Sequence, residues 1–260
     1  MIRRHKLFDA HFHVIDPAYP LIENQGFLPA RFTAPEYVEA MRDYDLVGGA
    51  VVSGSFQGFD QGYMREALKA LGRRYVGVTQ LPATVTDDEI VTLSKLGVRA
   101  VRFNLRRGGS ESIKHLLDLG LRVFDVARWH VEIYADSAEL ESLLPIVGRL
   151  PQVSVDHLGL SGAALNMLYG FVEAGGHVKA SGFGRVDFDV QVVLRRLMQI
   201  NPNAVMFGTD LPGTRAPRPF RPSDVDLVIE TFDAADAERI LFANALAFYG
   251  PARSGPRLDS

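Results

Sequence analysis

The feature that most restricts the fold is a repeated pattern, not a repeated residue. Short apolar runs alternate with helix-period sequence eight times along the 260 residues. The runs fall at 7–14, 48–53, 75–80, 98–103, 130–134, 152–156, 177–180 and 204–208. Their spacing of roughly 25–40 residues suits βαβ units, because parallel strands need a long crossover between them. Runs that are apolar throughout suit a parallel sheet covered on both faces. Eight such units at this length predict an α/β fold, a single-domain (β/α)8 TIM barrel over residues 1–250, in preference to a doubly wound sheet.

Between the runs, helices are expected at 33–46, 61–71, 86–96, 112–126, 137–149, 163–174, 187–200 and, in more than one piece, 222–249. Thr33, Pro35 and Glu36 supply a cap, an early proline and an acidic residue three after the cap. Residues 16–31, rich in Pro, Gly and aromatics, read as a long loop of the kind that is functional or disordered. Residues 251–260 are expected to fray as a tail.

Charge and composition exclude several function classes. With 28 basic against 31 acidic residues, the net charge of −3 argues against nucleic acid or an anionic membrane as partner. No cysteine is present, which removes disulfides and thiolate chemistry and fits a reducing cytoplasm. The basic start is followed by Asp9 and His11 before any long apolar run, so neither a signal peptide nor a spanning helix is expected. A small molecule is the expected partner, and an oligomer is left open.

In such a barrel the C-terminal strand ends and the loops after them build the site. Read in order, those ends present His11 and His13; Ser53 and Ser55; Arg102, Asn104, Arg106 and Arg107; Tyr134; Asp156 and His157; Lys179, Ser181 and Arg185; Thr209 and Asp210. His11 and His13, two apart on a strand, project to one face, and neutral imidazole is a common metal ligand. Each residue also has a plain structural use. Arg106 and Arg107 suit a solvated turn, Lys179 an ion pair with Asp9 or Asp156, His157 a hydrogen-bonded core, and Asp210 a turn. Taken together they form a polar rim on an apolar barrel, which points to a site.

The stretches Asp9-Ala10-His11-Phe12-His13, Val101-Arg102-Phe103-Asn104, Trp129-His130-Val131-Glu132-Ile133-Tyr134, Val155-Asp156-His157-Leu158-Gly159 and Phe207-Gly208-Thr209-Asp210-Leu211-Pro212 carry a resemblance. The chain resembles the amidohydrolase superfamily, in the branch holding 2-pyrone-4,6-dicarboxylate hydrolase and related lactonases. The resemblance implies a core of His11, His13, His157 and Asp210, with Asp210 activating the attacking water. It also implies one of two cofactor states. These four residues hold one divalent zinc or manganese, or the site is metal-independent and the histidines polarise the carbonyl. Ser55, Arg102, Tyr134, Arg185 and either Arg106 or Arg107 are implied to hold substrate carboxylates.

Three departures bear on the pocket: Phe27 stands where an aromatic hydroxyl is expected, Leu211-Pro212-Gly213 replaces Trp-Pro-His, and one residue is missing near Arg107. These changes predict a shift away from an aromatic dicarboxylate, toward a substrate with one carboxylate. Asn104 offers no bridge between two metals. The expected activity is hydrolysis of a small anionic lactone, 2-pyrone-4,6-dicarboxylate-like or a sugar lactone. A metal-dependent non-oxidative decarboxylase is the alternative. A non-catalytic metabolite-binding barrel is disfavoured, because a mere binder has no use for a general base.

Overall fold

Every expected apolar run is a strand in the computed structural model, which describes residues 5–250. The strands are β1 (Lys6–Phe12), β2 (Asp45–Val52), β3 (Tyr75–Thr79), β4 (Val98–Asn104), β5 (His130–Tyr134), β6 (Val153–Val155), β7 (His177–Ser181) and β8 (Val205–Gly208). All pair in parallel and in sequence order. The ring closes just beyond β8, where Asp210 N–H donates to His11 O at 2.7 Å and His13 N–H to Leu211 O at 2.8 Å. Asp9 adds a side-chain stitch, accepting from Thr209 N–H at 2.8 Å and Thr209 Oγ1 at 2.6 Å. Gly208 is required at this seam, since a Cβ there would lie 2.8 Å from His11 N.

The helices are α1 (Ala34–Ala40), α2 (Gly62–Leu71), α3 (Asp87–Leu96), α4 (Leu116–Ala127), α5 (Leu140–Val147), α6 (Leu165–Glu173), α7 (Val190–Ile200), α8 (Pro222–Thr231), α9 (Ala234–Glu238) and α10 (Asn244–Tyr249). Helix α3 shows why they start and stop where they do. Thr86 Oγ1 caps its N-terminus by accepting from Glu89 N–H, three acidic residues fill the first turn, and Gly97 ends it in the left-handed region. The main core lies between these helices and the outer faces of the strands. A second cluster fills the lower barrel, where Phe8, Ala10, Ala50, Val52, Val78 and Met206 meet Phe248 and Tyr249 of α10.

Some boundaries differ from expectation. The helix expected to reach 46 ends at Ala40, because Asp45 already pairs with Lys6 and draws Leu46 and Val47 into β2. A 3-10 turn, Ile113–His115, precedes α4, and a π-turn at Arg239–Ala243 divides the last helical stretch. The expected tail lies outside the described residues. Among the described residues, no helix is long and apolar enough to cross a membrane.

One irregularity positions the site. Strand β1 spends three residues from Asp9 to Phe12 where β2 spends two from Gly49 to Val51. Such a bulge re-aims the side chains that follow it. Phe8 and Ala10 pack inside the barrel, Phe12 packs outside on Tyr37 with ring centroids 3.7 Å apart, and the extra residue turns His11 inward as well.

Candidate active site

Below the mouth, inward positions of β4, β5 and β7 carry Arg102, Glu132 and Lys179, and the residue just after β6 is Asp156, all buried. They are buried as partners. Asp156 Oδ2 accepts from Arg102 Nε at 3.0 Å and Nη2 at 2.8 Å, while Arg102 Nη1 donates to Ser53 O at 2.8 Å. Lys179 pairs with Glu132 and lies 3.7 Å from Asp156 Oδ1. Glu132 also accepts from Tyr249 OH at 2.7 Å. Burial pushes the Asp156 carboxyl up, but Arg102, His11 and Lys179 together hold it well below the usual carboxylate range.

Above this layer three imidazoles surround one carboxylate oxygen. Asp210 Oδ1 lies 3.9 Å from His11 Nε2, 3.7 Å from His13 Nε2 and 3.9 Å from His157 Nε2. The far nitrogen of each ring has a polar neighbour of its own. His13 Nδ1 donates to Val52 O at 2.7 Å, His11 Nδ1 faces Asp156 Oδ1 at 3.3 Å, and His157 Nδ1 bonds Ser181 Oγ at 2.9 Å. With His13 and His11 so oriented, each turns an Nε2 lone pair toward Asp210. Burial pushes His11 down to about 3 and His157 well below its ordinary value. Asp210 Oδ2 is held by Arg185 Nε at 2.6 Å. Burial raises the Asp210 carboxyl, and Arg185, His157 and the other imidazoles more than offset this, so it stays ionised well below the usual range.

Backbone strain supports this geometry. Asp210 has φ 62 and His157 φ 50, both in the left-handed region that costs a non-glycine residue of order 1–3 kcal/mol. Gly182, at φ 60, passes so close that a Cβ would sit 2.9 Å from His157 Nδ1 and from Arg185 Cδ.

A cavity open to solvent lies over this cluster, walled in part by His13, Ser55, Arg102, Tyr134 and Arg185. Of the two loop arginines expected there, Arg107 lines the cavity, whereas Arg106 is exposed and lies outside the lining. Arg102 and Arg185 reach the wall with their guanidiniums already bonded to Asp156 and Asp210. Three features were not anticipated from sequence. Glu132 is the partner of Lys179, and Asp9 lies instead at the barrel seam. Arg215, from the loop after β8, lines the cavity. Asn24 and Gln25, from the long first loop, reach across to Arg107 and Arg215. A glutamate inside an otherwise apolar strand was the available signal for the first; the others had none.

Residues 8–250 match the sequence profile described as amidohydrolase. The chain belongs to the amidohydrolase family. It is 31% identical over 157 residues to a 2-pyrone-4,6-dicarboxylate hydrolase of Comamonas testosteroni, an alignment covering 58% of this chain and 51% of that protein. It is 25% identical over 272 residues to a 4-sulfomuconolactone hydrolase of Hydrogenophaga intermedia, covering 95% and 90%. Among solved structures, a probable 2-pyrone-4,6-dicarboxylic acid hydrolase of Acinetobacter baumannii with citric acid bound superposes with a TM-score of 0.81 at 22% identity, over 94% of this chain and 99% of that one.

Amidohydrolases often carry a metal, and the residues present here fit one. His11, His157 and Asp210 each offer a ligand atom within 4.8 Å of the others, all buried. His11 Nε2 and Asp210 Oδ1 have no hydrogen-bond partner, an arrangement of electron-pair donors that one divalent cation satisfies. His13 Nε2 lies 3.7 Å from the same Asp210 oxygen but outside that group of three. Among the described residues no second group of such ligands lies beside it: Asn104 Oδ1 accepts from Arg107 N–H and Asp156 Oδ2 from Arg102. Titration of the metal-stripped amidohydrolase with zinc or manganese should therefore saturate at no more than one ion per chain. Two tightly bound ions by elemental analysis would contradict this.

Proposed function

We propose that this amidohydrolase opens a small anionic lactone by adding water to the ring carbonyl. The observation that carries the reading is Asp210 Oδ1, a buried, ionised oxygen without a hydrogen-bond partner, ringed by three imidazoles beneath an arginine-lined cavity. Asp210 takes a proton from water as the water oxygen bonds to the carbonyl carbon. When the ring C–O bond breaks, Asp210 returns that proton to the departing oxygen, leaving a hydroxyl and a carboxylic acid, which releases its remaining proton to solvent to become a carboxylate. Arg185 fixes the carboxylate's orientation and keeps it ionised, at some cost in basicity. Negative charge builds on the carbonyl oxygen, where a well-placed donor is worth about 3–4 kcal/mol. His13 is the one imidazole of the three that lines the cavity; with its Nδ1–H held by Val52 O, its Nε2 donates only as the imidazolium. A divalent cation held by His11, His13, His157 and Asp210 would add Lewis acidity and a more acidic water.

The reading is tested with a panel of mono- and dicarboxylated lactones, on metal-stripped and metal-replete protein, following acid release at constant pH and carbon dioxide in parallel. Ring opening without carbon dioxide is the expected result. Carbon dioxide released in step with substrate loss would replace hydrolysis with decarboxylation.

A further inference from the structure

Four arginines line the cavity, and the structure divides them into two kinds. Arg102 and Arg185 are each bonded to a buried carboxylate of the protein itself. Arg107 and Arg215 form no ion pair among the described residues. Their bonds go to neutral oxygens: both guanidiniums point an Nη1 at the same Gln25 Oε1, at 3.5 and 3.3 Å, and Arg215 Nη2 donates to Asn24 O. Two like charges drawn onto one amide oxygen repel each other, and that arrangement is relieved by an anion between them.

The surroundings hold this pair in place. Asn24–Phe27 is a two-residue turn closed by Asn24 N–H to Phe27 O at 3.0 Å and Phe27 N–H to Asn24 O at 3.1 Å, with positive φ at Gln25 and Gly26. Asn24 Nδ2 donates to Arg107 O at 3.0 Å, and Ser55 Oγ donates to Asn24 Oδ1 at 3.2 Å. The Arg215 guanidinium lies 4.5 Å from the centre of the Phe27 ring, a face that a hydroxyl is not needed to supply. Arg215 itself sits at φ 58, a conformation the chain keeps at a cost.

We infer that Arg107 and Arg215, bridged by the Asn24–Phe27 turn, form the subsite that reads an exocyclic oxyanion of the substrate, a carboxylate or a sulfonate. Arg102 and Arg185 set the charge of the catalytic layer instead. Selectivity for charge then resides at the mouth, and a ring carrying an anionic substituent remote from the scissile carbonyl is accepted despite Phe27 and Gly213.

This rests on the lactone reading only for the ring, so it is tested by binding without turnover. Calorimetric titration would compare isophthalate, 3-sulfobenzoate and benzamide on the wild type and on Arg215→Met, Arg215→Lys and Arg107→Met. The methionine variants should weaken at least one of the two dianions tenfold or more relative to benzamide, with Arg215→Lys intermediate. The preference between isophthalate and 3-sulfobenzoate in the wild type identifies the oxyanion. Equal weakening of all three probes, or none, would overturn the inference, and matching thermal midpoints exclude misfolding as the cause. A wild type that binds a dianion through Arg215 yet opens no lactone would leave the subsite standing and remove the lactone reading.

Discussion

Asp210→Asn is expected to lower kcat by about 10²–10⁴-fold, the span of a general base in other enzymes. The substitution keeps the shape, and the Asn oxygen still accepts from Arg185 Nε, so the folded circular dichroism spectrum should persist. What disappears is the one oxygen that faces His11, His13 and His157 without a hydrogen-bond partner. The charge also has a pH signature. Because the folded-state pKa of Asp210 is depressed, its contribution to stability is full above the ordinary carboxylate value of about 4 and is lost as pH falls through the lowered one. The stability gap between wild type and variant, by urea denaturation, should therefore be constant near neutrality and shrink in acid. An Asn variant active within a few-fold of wild type would remove Asp210 from the role of base.

Lys179→Met is expected to be the most damaging change to the fold. Lys179 is fully buried between Glu132 and Asp156, and neither carboxylate has water to fall back on. Removing one partner of a buried pair costs about 3–5 kcal/mol, because the remaining charge is left uncompensated. At roughly 2–4 °C per kcal/mol for a chain of this size, the thermal midpoint should fall by about 6–20 °C. Adding Glu132→Gln to Lys179→Met should recover part of that loss, since the stranded charge goes with it. Arg102 still holds Asp156, so the double variant keeps an oriented His11. A single variant within about 1 kcal/mol of wild type would mean the pair contributes little, as exposed pairs do.

Local rules made most of the candidate site's placement readable from the chain. Strand patterning placed the ends of β1, β6 and β8, and with them His11, His13, His157 and Asp210, because each depends only on nearby residues. Of the two partners expected for Lys179, Asp156 is found 3.7 Å away, but the closer carboxylate, Glu132, was not readable. Glu132 lies two strands away across the barrel interior, while Asp9, the nearer guess, faces Thr209 and Tyr37. The inward turn of His11 depends on a bulge that no residue of β1 announces. Arg215 looks like any loop arginine until the 24–27 turn folds beside it. Arg106 and Arg107 are chemically identical neighbours, and only the path of the backbone after Asn104 separates the exposed one from the one in the cavity.

The seam joins residues 9 and 209, 200 positions apart, through the same backbone that carries His11 and Asp210. Contacts of such separation demand the greatest loss of chain entropy and tend to form slowly. A nascent chain emerging N-terminus first therefore carries its imidazoles long before it acquires the carboxylate that faces them. Until the eighth strand is synthesised and docked, the ribosome-bound chain has three histidines and no carboxylate facing them. Assembly of the His11, His13, His157 and Asp210 cluster and ring closure arrive together, as one event.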